Sequence, residues 1–203
     1  MPTSKKADKT YPMGATAEIV SDGHPALRAV AEEVPVDQIG SEEIQSLILH
    51  MKKVLALQND GIGLAAPQVG VSKRIFIVSK KVFGEDGTDA VFINPVITNE
   101  SKEKRWMEGE GCLSVRWIYG KVKRSTKVSL RAYDERAQIS ERGASGLLAH
   151  IFQHEVDHLN GTLFIDKAKD LEHIDPKDTH PVTDEAGHRE AHAPAKRASR
   201  KTK

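Results

Sequence analysis

The stretch His154-Glu155-Val156-Asp157-His158 sets two imidazoles four positions apart, with a carboxylate beside the first. On an α-helix, residues i and i+4 lie on one face, so both rings can reach a single metal ion. Glu155 then stands where it can move protons for a metal-bound water. The flanking sequence supports the helix: Ser145 to Asn160 reads as helical, with Gly161 as the stop signal. Turned at about 100° per residue, Leu147, Ile151, His154 and His158 share one narrow face. Glu155, Leu148, Leu159, Phe152 and Val156 continue round one flank. Gln153, Asp157 and Asn160 form the polar flank, with His150 at its edge. The two histidines thus sit inside an apolar stripe, where each would otherwise need its own hydrogen-bond partner. One metal ion satisfies both. His150 extends the series, but two helical turns do not easily bring three rings to one ion. It reads as a pocket-edge or surface residue.

A catalytic centre of this kind needs a third ligand and an open position for water. Zinc proteases that continue H-E-x-x-H-x-x-G-x-x-H place a ligand where this chain has Phe164, which cannot bind metal. A downstream Glu172 is available, but it lies in a polar stretch leading to the C-terminus. The better candidate is upstream, in Glu110-Gly111-Cys112-Leu113-Ser114, where the only thiol of the chain adjoins a glycine that permits close backbone approach. A thiolate with two imidazoles suits Fe(II) or Zn(II).

With 203 residues the chain can build one domain with a sizeable core. A formal net charge of +1 argues for neither nucleic acid nor a membrane surface as a bulk partner. Hydrophobic residues at 38% and aromatics at 5% are low for a wholly ordered chain and fit one domain with polar tails. No apolar run approaches the roughly 18–20 residues needed to span a bilayer. Met1 to Thr16 lacks the apolar core of a secretory signal, and Asp8 with the lack of Arg counts against a mitochondrial presequence. A single cysteine and no export signal make a reducing cytoplasm the default, with an organellar matrix or stroma as the alternative.

Along the chain, residues 1–16 read as a disordered leader. His24 to Ala31 reads as a short helix. Ser41 to Gln58 is a stronger one: Ser41 can cap it, and Ile44, Leu47, Ile48, Met51, Val54 and Leu55 recur at helical spacing. Gly61 to Gly70 breaks it. Strands are expected over Arg74 to Ser79, over Ala90 to Asn94 with Pro95 ending it, at Lys121 to Val122, and over Lys127 to Tyr133. The sequence is charged from Asp166, and residues 169–203 read as a polar C-terminal tail, disordered beyond about Pro176.

Three motifs follow one another: Gly61-Ile62-Gly63-Leu64-Ala65-Ala66-Pro67-Gln68, then Glu110 to Ser114, then Gln153 to His158. In this order they resemble the peptide deformylase family, marked by GxGLAAPQ, EGCLS and QHExDH. Weaker similarity extends the likeness over roughly residues 17–168, which would form the catalytic domain. The resemblance implies an α+β fold, with antiparallel β-sheets packed around a central metal-binding helix and with an N-terminal helix. It implies removal of the formyl group from the N-terminal formyl-methionine of new peptides. Cys112, His154 and His158 would bind one divalent metal ion, typically Fe(II), with Zn(II), Ni(II) or Co(II) also able to occupy the site. Hydroxide formed on that metal would attack the formyl carbon, with Glu155 as general base and acid. Gln68 and the N–H of Leu113 would hold the oxyanion.

An extended, variable chain end is best held through its main chain, so Ile62, Gly63 and the Gly109 to Gly111 segment are expected to present pairing edges. Leu147, Ile151 and Ile62 are expected to line the methionine pocket, although Leu147 and Ile151 would serve equally as ordinary core. Many family members have proline where this chain continues Arg116-Trp117; Arg116 would either meet the substrate or face solvent. Asp157 is expected to pair with Arg124 and orient the metal helix. Two alternatives stand beside this reading. One is an endopeptidase of the H-E-x-x-H kind. The other is an inactive, ribosome-associated homologue, suggested by the basic end Lys196, Arg197, Arg200, Lys201 and Lys203, through which an active enzyme too could touch the ribosome, although the plain reading of such an end is a solubilising extension.

Overall fold

Ser41 caps the first helix, α1 (Glu42–Ala56), its Oγ accepting the Ile44 N–H at 3.3 Å. The six apolar residues expected at helical spacing are all buried there. The second helix, α2 (Gly146–Leu159), ends at Asn160, followed by Gly161 with φ 70°. A Cβ at Gly161 would meet the Arg28 carbonyl oxygen at 2.6 Å, so both conformation and packing demand glycine. The structure, a computed structural model, describes residues 12–84 and 87–174.

Eight strands follow in chain order: β1 (Gly63–Ala65), β2 (Ile75–Val78), β3 (Ala90–Glu100), β4 (Lys104–Cys112), β5 (Val115–Ser125), β6 (Lys127–Tyr133), β7 (Ile139–Ser145) and β8 (Lys169–His173). They form two antiparallel sheets, ordered β1-β2-β3-β6-β7 and β4-β5-β8. The expected α+β class, with antiparallel sheets about a central helix, is what the chain adopts. Alternation along β2 explains the layering. Ile75 and Ile77 join the α1 cluster, while Phe76 and Val78 join the α2 cluster. On the α2 side Phe76 stacks on Phe92 at 4.7 Å between ring centroids, and Phe92 meets Phe152 edge-on at 5.0 Å. A third cluster of Leu27, Val115, Val122, Leu163 and Phe164 joins the small sheet to the rest.

Several expectations need correction. β3 does not stop at Pro95 but runs on to Glu100, because a bulge at Asn94 (φ 49°) takes the proline out of register. The Asn94 amide is fixed there by two hydrogen bonds to the Val34 backbone, at 2.8 and 2.7 Å. The pair expected at Lys121 to Val122 is the middle of an eleven-residue strand. β4 and β7 were not expected, since one is rich in charge and glycine and the other is exposed along most of its length. β8 lies in the stretch read as tail; its residues are all exposed, and pairing with β5 holds it. The helix expected over His24 to Ala31 is a single 3-10 turn, Pro25–Leu27. At the N-terminus Ala15 is buried and the Thr16 N–H donates to the Val69 carbonyl at 2.8 Å, within the expected leader. The remainder of that leader (1–11) and of the tail (175–203, with its basic end) lies outside the described residues.

Candidate metal centre and substrate cleft

α2 presents His154 and His158 with ring centroids 5.0 Å apart. β4 delivers Cys112 at its last position, where Leu113 and Ser114 turn the chain into β5. The ligand atoms of Cys112, His154 and His158 all lie within 4.8 Å of one another. The two distant motifs therefore meet as the donor set S, N, N. Phe164, by contrast, lies against the His154 ring at 6.3 Å between centroids, and Glu172 is exposed on β8. Neither downstream position competes as a ligand.

The sulfur is placed as an anion. It accepts from the Ser114 N–H at 3.4 Å and from Gln68 Nε2 at 3.6 Å, and His158 Nε2 lies 3.2 Å away. Burial alone would raise the thiol, but the imidazoles of His158 and His154 bring it down to about 5. Burial opposes protonation of His154, yet the Cys112 sulfur and the Glu110 carboxylate carry its pKa well above the usual imidazole range. A divalent cation between these groups would balance the thiolate charge that a proton on His154 otherwise offsets. The donor chemistry fits such an ion. A second observation agrees: Glu155 Oε2 is buried with no hydrogen-bond partner among the described residues, beside the two histidines. Burial raises Glu155 to about 7 against the lowering effect of His154 and His158. A carboxyl poised near neutrality can both take and return a proton.

Gln68 is almost fully buried and rigidly held. Its Oε1 accepts the Ala65 N–H at 2.8 Å, which turns Nε2 toward Cys112 and Ser114. The Leu113 N–H, in the turn beside the sulfur, has no hydrogen-bond partner among the described residues. Ile62, Gly63, Gly111, Leu147 and Ile151 all line one cleft with Gln68, Cys112, His154 and Glu155. β1 and β4 are edge strands of different sheets, and both border this cleft. Ile151 is at once core and cleft wall, while Leu147 is only half-buried. Gly63 is a close approach: a Cβ there would fall 2.2 Å from Glu155 Oε1. Gly111 is another, with the Tyr119 ring 2.7 Å from where a Cβ would be.

The residue that sequence reasoning passed over is Glu110. Its side chain is buried and receives Arg124 Nε at 3.1 Å and Nη2 at 2.5 Å, His150 Nε2 at 2.5 Å and His154 Nδ1 at 2.7 Å. These donors hold its carboxyl far below the usual carboxylate range against the opposing effect of burial. By binding Nδ1 of His154, Glu110 fixes the tautomer that leaves Nε2 free for a metal. The only signal in the sequence was an acidic residue inside a glycine-flanked motif. His150 sits at the cleft edge, as its place on the helix suggested. The expected Asp157–Arg124 pair forms at 2.6 Å. Arg116 lines the cleft partly exposed; it pairs with Asp60 at 3.4 Å and donates to Gln58 Oε1.

A family profile described as polypeptide deformylase matches residues 16–173. Peptide deformylase 2 of Clostridium perfringens is 40% identical over 157 residues, covering 77% of this chain and 96% of that protein. Peptide deformylase 1A, chloroplastic/mitochondrial, of Arabidopsis thaliana is 39% identical over 164 residues, covering 74% of this chain and 60% of that longer protein. The crystal structure of a peptide deformylase from Synechococcus elongatus in complex with actinonin superposes with a TM-score of 0.69 at 35% identity, covering 75% of this chain and 80% of that one. Fold, motif order and the extent of the match agree, and the chain belongs to the polypeptide deformylase family.

Proposed function

We propose that this enzyme removes the formyl group from N-formylmethionyl peptides at a centre where Cys112, His154 and His158 hold one divalent metal ion. The observation that carries the proposal is the convergence of a thiolate and two imidazoles, within 4.8 Å of one another, beside the unpartnered Glu155 Oε2. When bound, the metal supplies Lewis-acid chemistry, making water nucleophilic near neutral pH and polarising the formyl carbonyl. Glu155 takes the proton of the attacking water and gives it to the leaving amine. Gln68 Nε2 and the Leu113 N–H donate to the formyl oxygen as charge develops on it, each such donor contributing about 2.7–4 kcal/mol to lowering the barrier. The peptide lies extended between the β1 and β4 edges, held by the main chain at Ile62, Gly63 and Gly111. The methionine side chain enters among Leu147, Ile151 and Ile62. A soft thiolate with two imidazoles suits Fe(II), with Zn(II), Ni(II) or Co(II) as substitutes.

Formate release from formyl-Met-Ala-Ser by anaerobically purified protein tests the reading, with Glu155→Ala as control. Anaerobic handling protects a thiolate-bound Fe(II) from oxidation. Cys112→Ala should lose both metal and turnover; tight metal binding by that variant, or cleavage of internal peptide bonds, would return the endopeptidase reading. Glu155 beside the paired histidines, and Gln68 fixed by the Ala65 N–H, support an active enzyme over an inactive ribosome-associated homologue. Contact with ribosomal RNA through the basic end, and a cytoplasmic rather than organellar site of action, are further parts of the proposal. No described helix is long and apolar enough to cross a membrane.

A further inference from the structure

Trp117 occupies the left-handed region, with φ 66°. A bulky side chain is strained there, and such strain persists where the surroundings enforce it or where function uses it. Two contacts enforce it. On one side, Arg116 Nη1 lies 3.4 Å from Asp60 Oδ2 and its Nη2 donates to Gln58 Oε1. Asp60 precedes β1 and Arg116 is the second residue of β5, so this bridge ties the two walls of the cleft together. On the other side, the Trp117 carbonyl accepts the Ile174 N–H at 2.8 Å, just beyond β8. The indole itself gains nothing comparable. It lines the cleft, half-buried, yet among the described residues it belongs to no core cluster, and its N–H makes no hydrogen bond. The Arg116 charge is meanwhile engaged by Asp60, which leaves a flat apolar ring as the main feature of this rim.

Resting on the deformylase reading above, we propose that Trp117 is a specificity residue that receives a large apolar or aromatic side chain from a substrate residue downstream of the formyl-methionine. An extended peptide held by its main chain presents alternate side chains to opposite faces, so a rim residue can sample one of them without touching the reacting atoms. Aromatic side chains combine large apolar area with favourable ring-on-ring packing.

The test compares wild type, Trp117→Gly and Trp117→Phe on formyl-Met-Ala-Ser, formyl-Met-Phe-Ser and formyl-Met-Ala-Phe. Wild type should favour one aromatic peptide over formyl-Met-Ala-Ser by about tenfold in kcat/KM, mostly through KM. Trp117→Gly should abolish that preference while leaving kcat on formyl-Met-Ala-Ser within about twofold. Its Tm should hold or rise, because glycine adopts the left-handed conformation freely. Trp117→Phe should retain most of the preference. A preference that survives Trp117→Gly, or its absence in wild type, overturns the proposal. So does a uniform loss of turnover with a lower Tm, which would mark a structural role. A second readout is independent of turnover. The chain has two tryptophans, so in Trp106→Phe the indole of Trp117 reports alone. Titrating zinc-loaded Trp106→Phe with formyl-Met-Phe-Ser and formyl-Met-Ala-Phe should change its emission more than formyl-Met-Ala-Ser does; equal responses count against the proposal. Absence of formate release from every peptide would sink the deformylase reading instead, while the emission titration still decides the role of Trp117.

Discussion

Glu110 collects four donors on two oxygens in a place with almost no access to water. An amide at that position would turn a donor toward donors. Glu110→Gln should therefore weaken zinc binding by about 10–100-fold, as loss of a carboxylate behind a ligating imidazole does elsewhere. Arg124 would keep Asp157 but lose its carboxylate at Glu110, so stability should fall by up to about 3–5 kcal/mol. Competition with a chromophoric chelator and urea unfolding measure the two effects separately. Gly63 offers a cleaner test of the role proposed for Glu155. The added Cβ in Gly63→Ala would collide with Glu155 Oε1, so the carboxyl must swing away. Formate release should fall by about 10²–10⁴-fold, the usual contribution of a positioned acid-base. Metal content, measured on the same preparation, should stay unchanged.

At the scale of elements, α2 has to arrive at β4 in one orientation for sulfur and imidazoles to meet. Two contacts set it. Gln153, read from the sequence as part of a polar flank, is buried and clasps the Ser125 backbone, accepting its N–H at 2.9 Å and donating to its carbonyl at 3.0 Å. Arg124 reaches from β5 to Asp157 on α2 while also holding Glu110 on β4. Lys167 closes the set on Asp157 at 2.6 Å. An Arg124→Met, Asp157→Asn double-mutant cycle should show a coupling of about 0.5–3 kcal/mol in unfolding free energy; additive losses would mean that the pair does not orient the helix. β8 acts on the opposite end of β5. Deleting residues 175–203 should leave turnover of formyl-Met-Ala-Ser intact. Ending the chain at 168 removes the strand that pairs with Ile118 and Tyr119, so KM for longer peptides should rise.

Over the whole molecule, the cleft is the seam between two sheets, and contacts far apart in sequence hold that seam. Arg28 and Asp166 are 138 residues apart and pair at 2.6 Å. Burial opposes ionisation of Asp166, but the Leu163 N–H and Arg28 outweigh it and lower its pKa below the usual value. A carboxyl lowered on folding contributes stability that is fully present above its unfolded pKa, about 3.9, and is lost as pH falls through the folded value. Urea midpoints of wild type and Asp166→Asn should therefore differ near neutrality and converge in acid. Both side chains are well exposed, so the difference should be small, under about 1 kcal/mol.

Periodicity and chemistry were legible without coordinates. The spacing of Ile44 to Leu55 dictated α1, the paired histidines set two imidazole donors on one helix face, and the elimination of Phe164 pointed back to Cys112. These are local or stoichiometric properties, which a string of residues carries in full. What escaped were features whose cause lies elsewhere in the chain. β4 is a strand because β5 pairs with it, β8 because the far side of β5 was open, and Pro95 lies within a strand because Asn94 bulges against Val34. Glu110 looked like one more acid until Arg124, His150 and His154 converged on it. The residues alone determined which groups could do the chemistry. Only folding decided which of them are buried together, because hydrogen bonding and electrostatics in a dry site depend on distance and not on order along the chain.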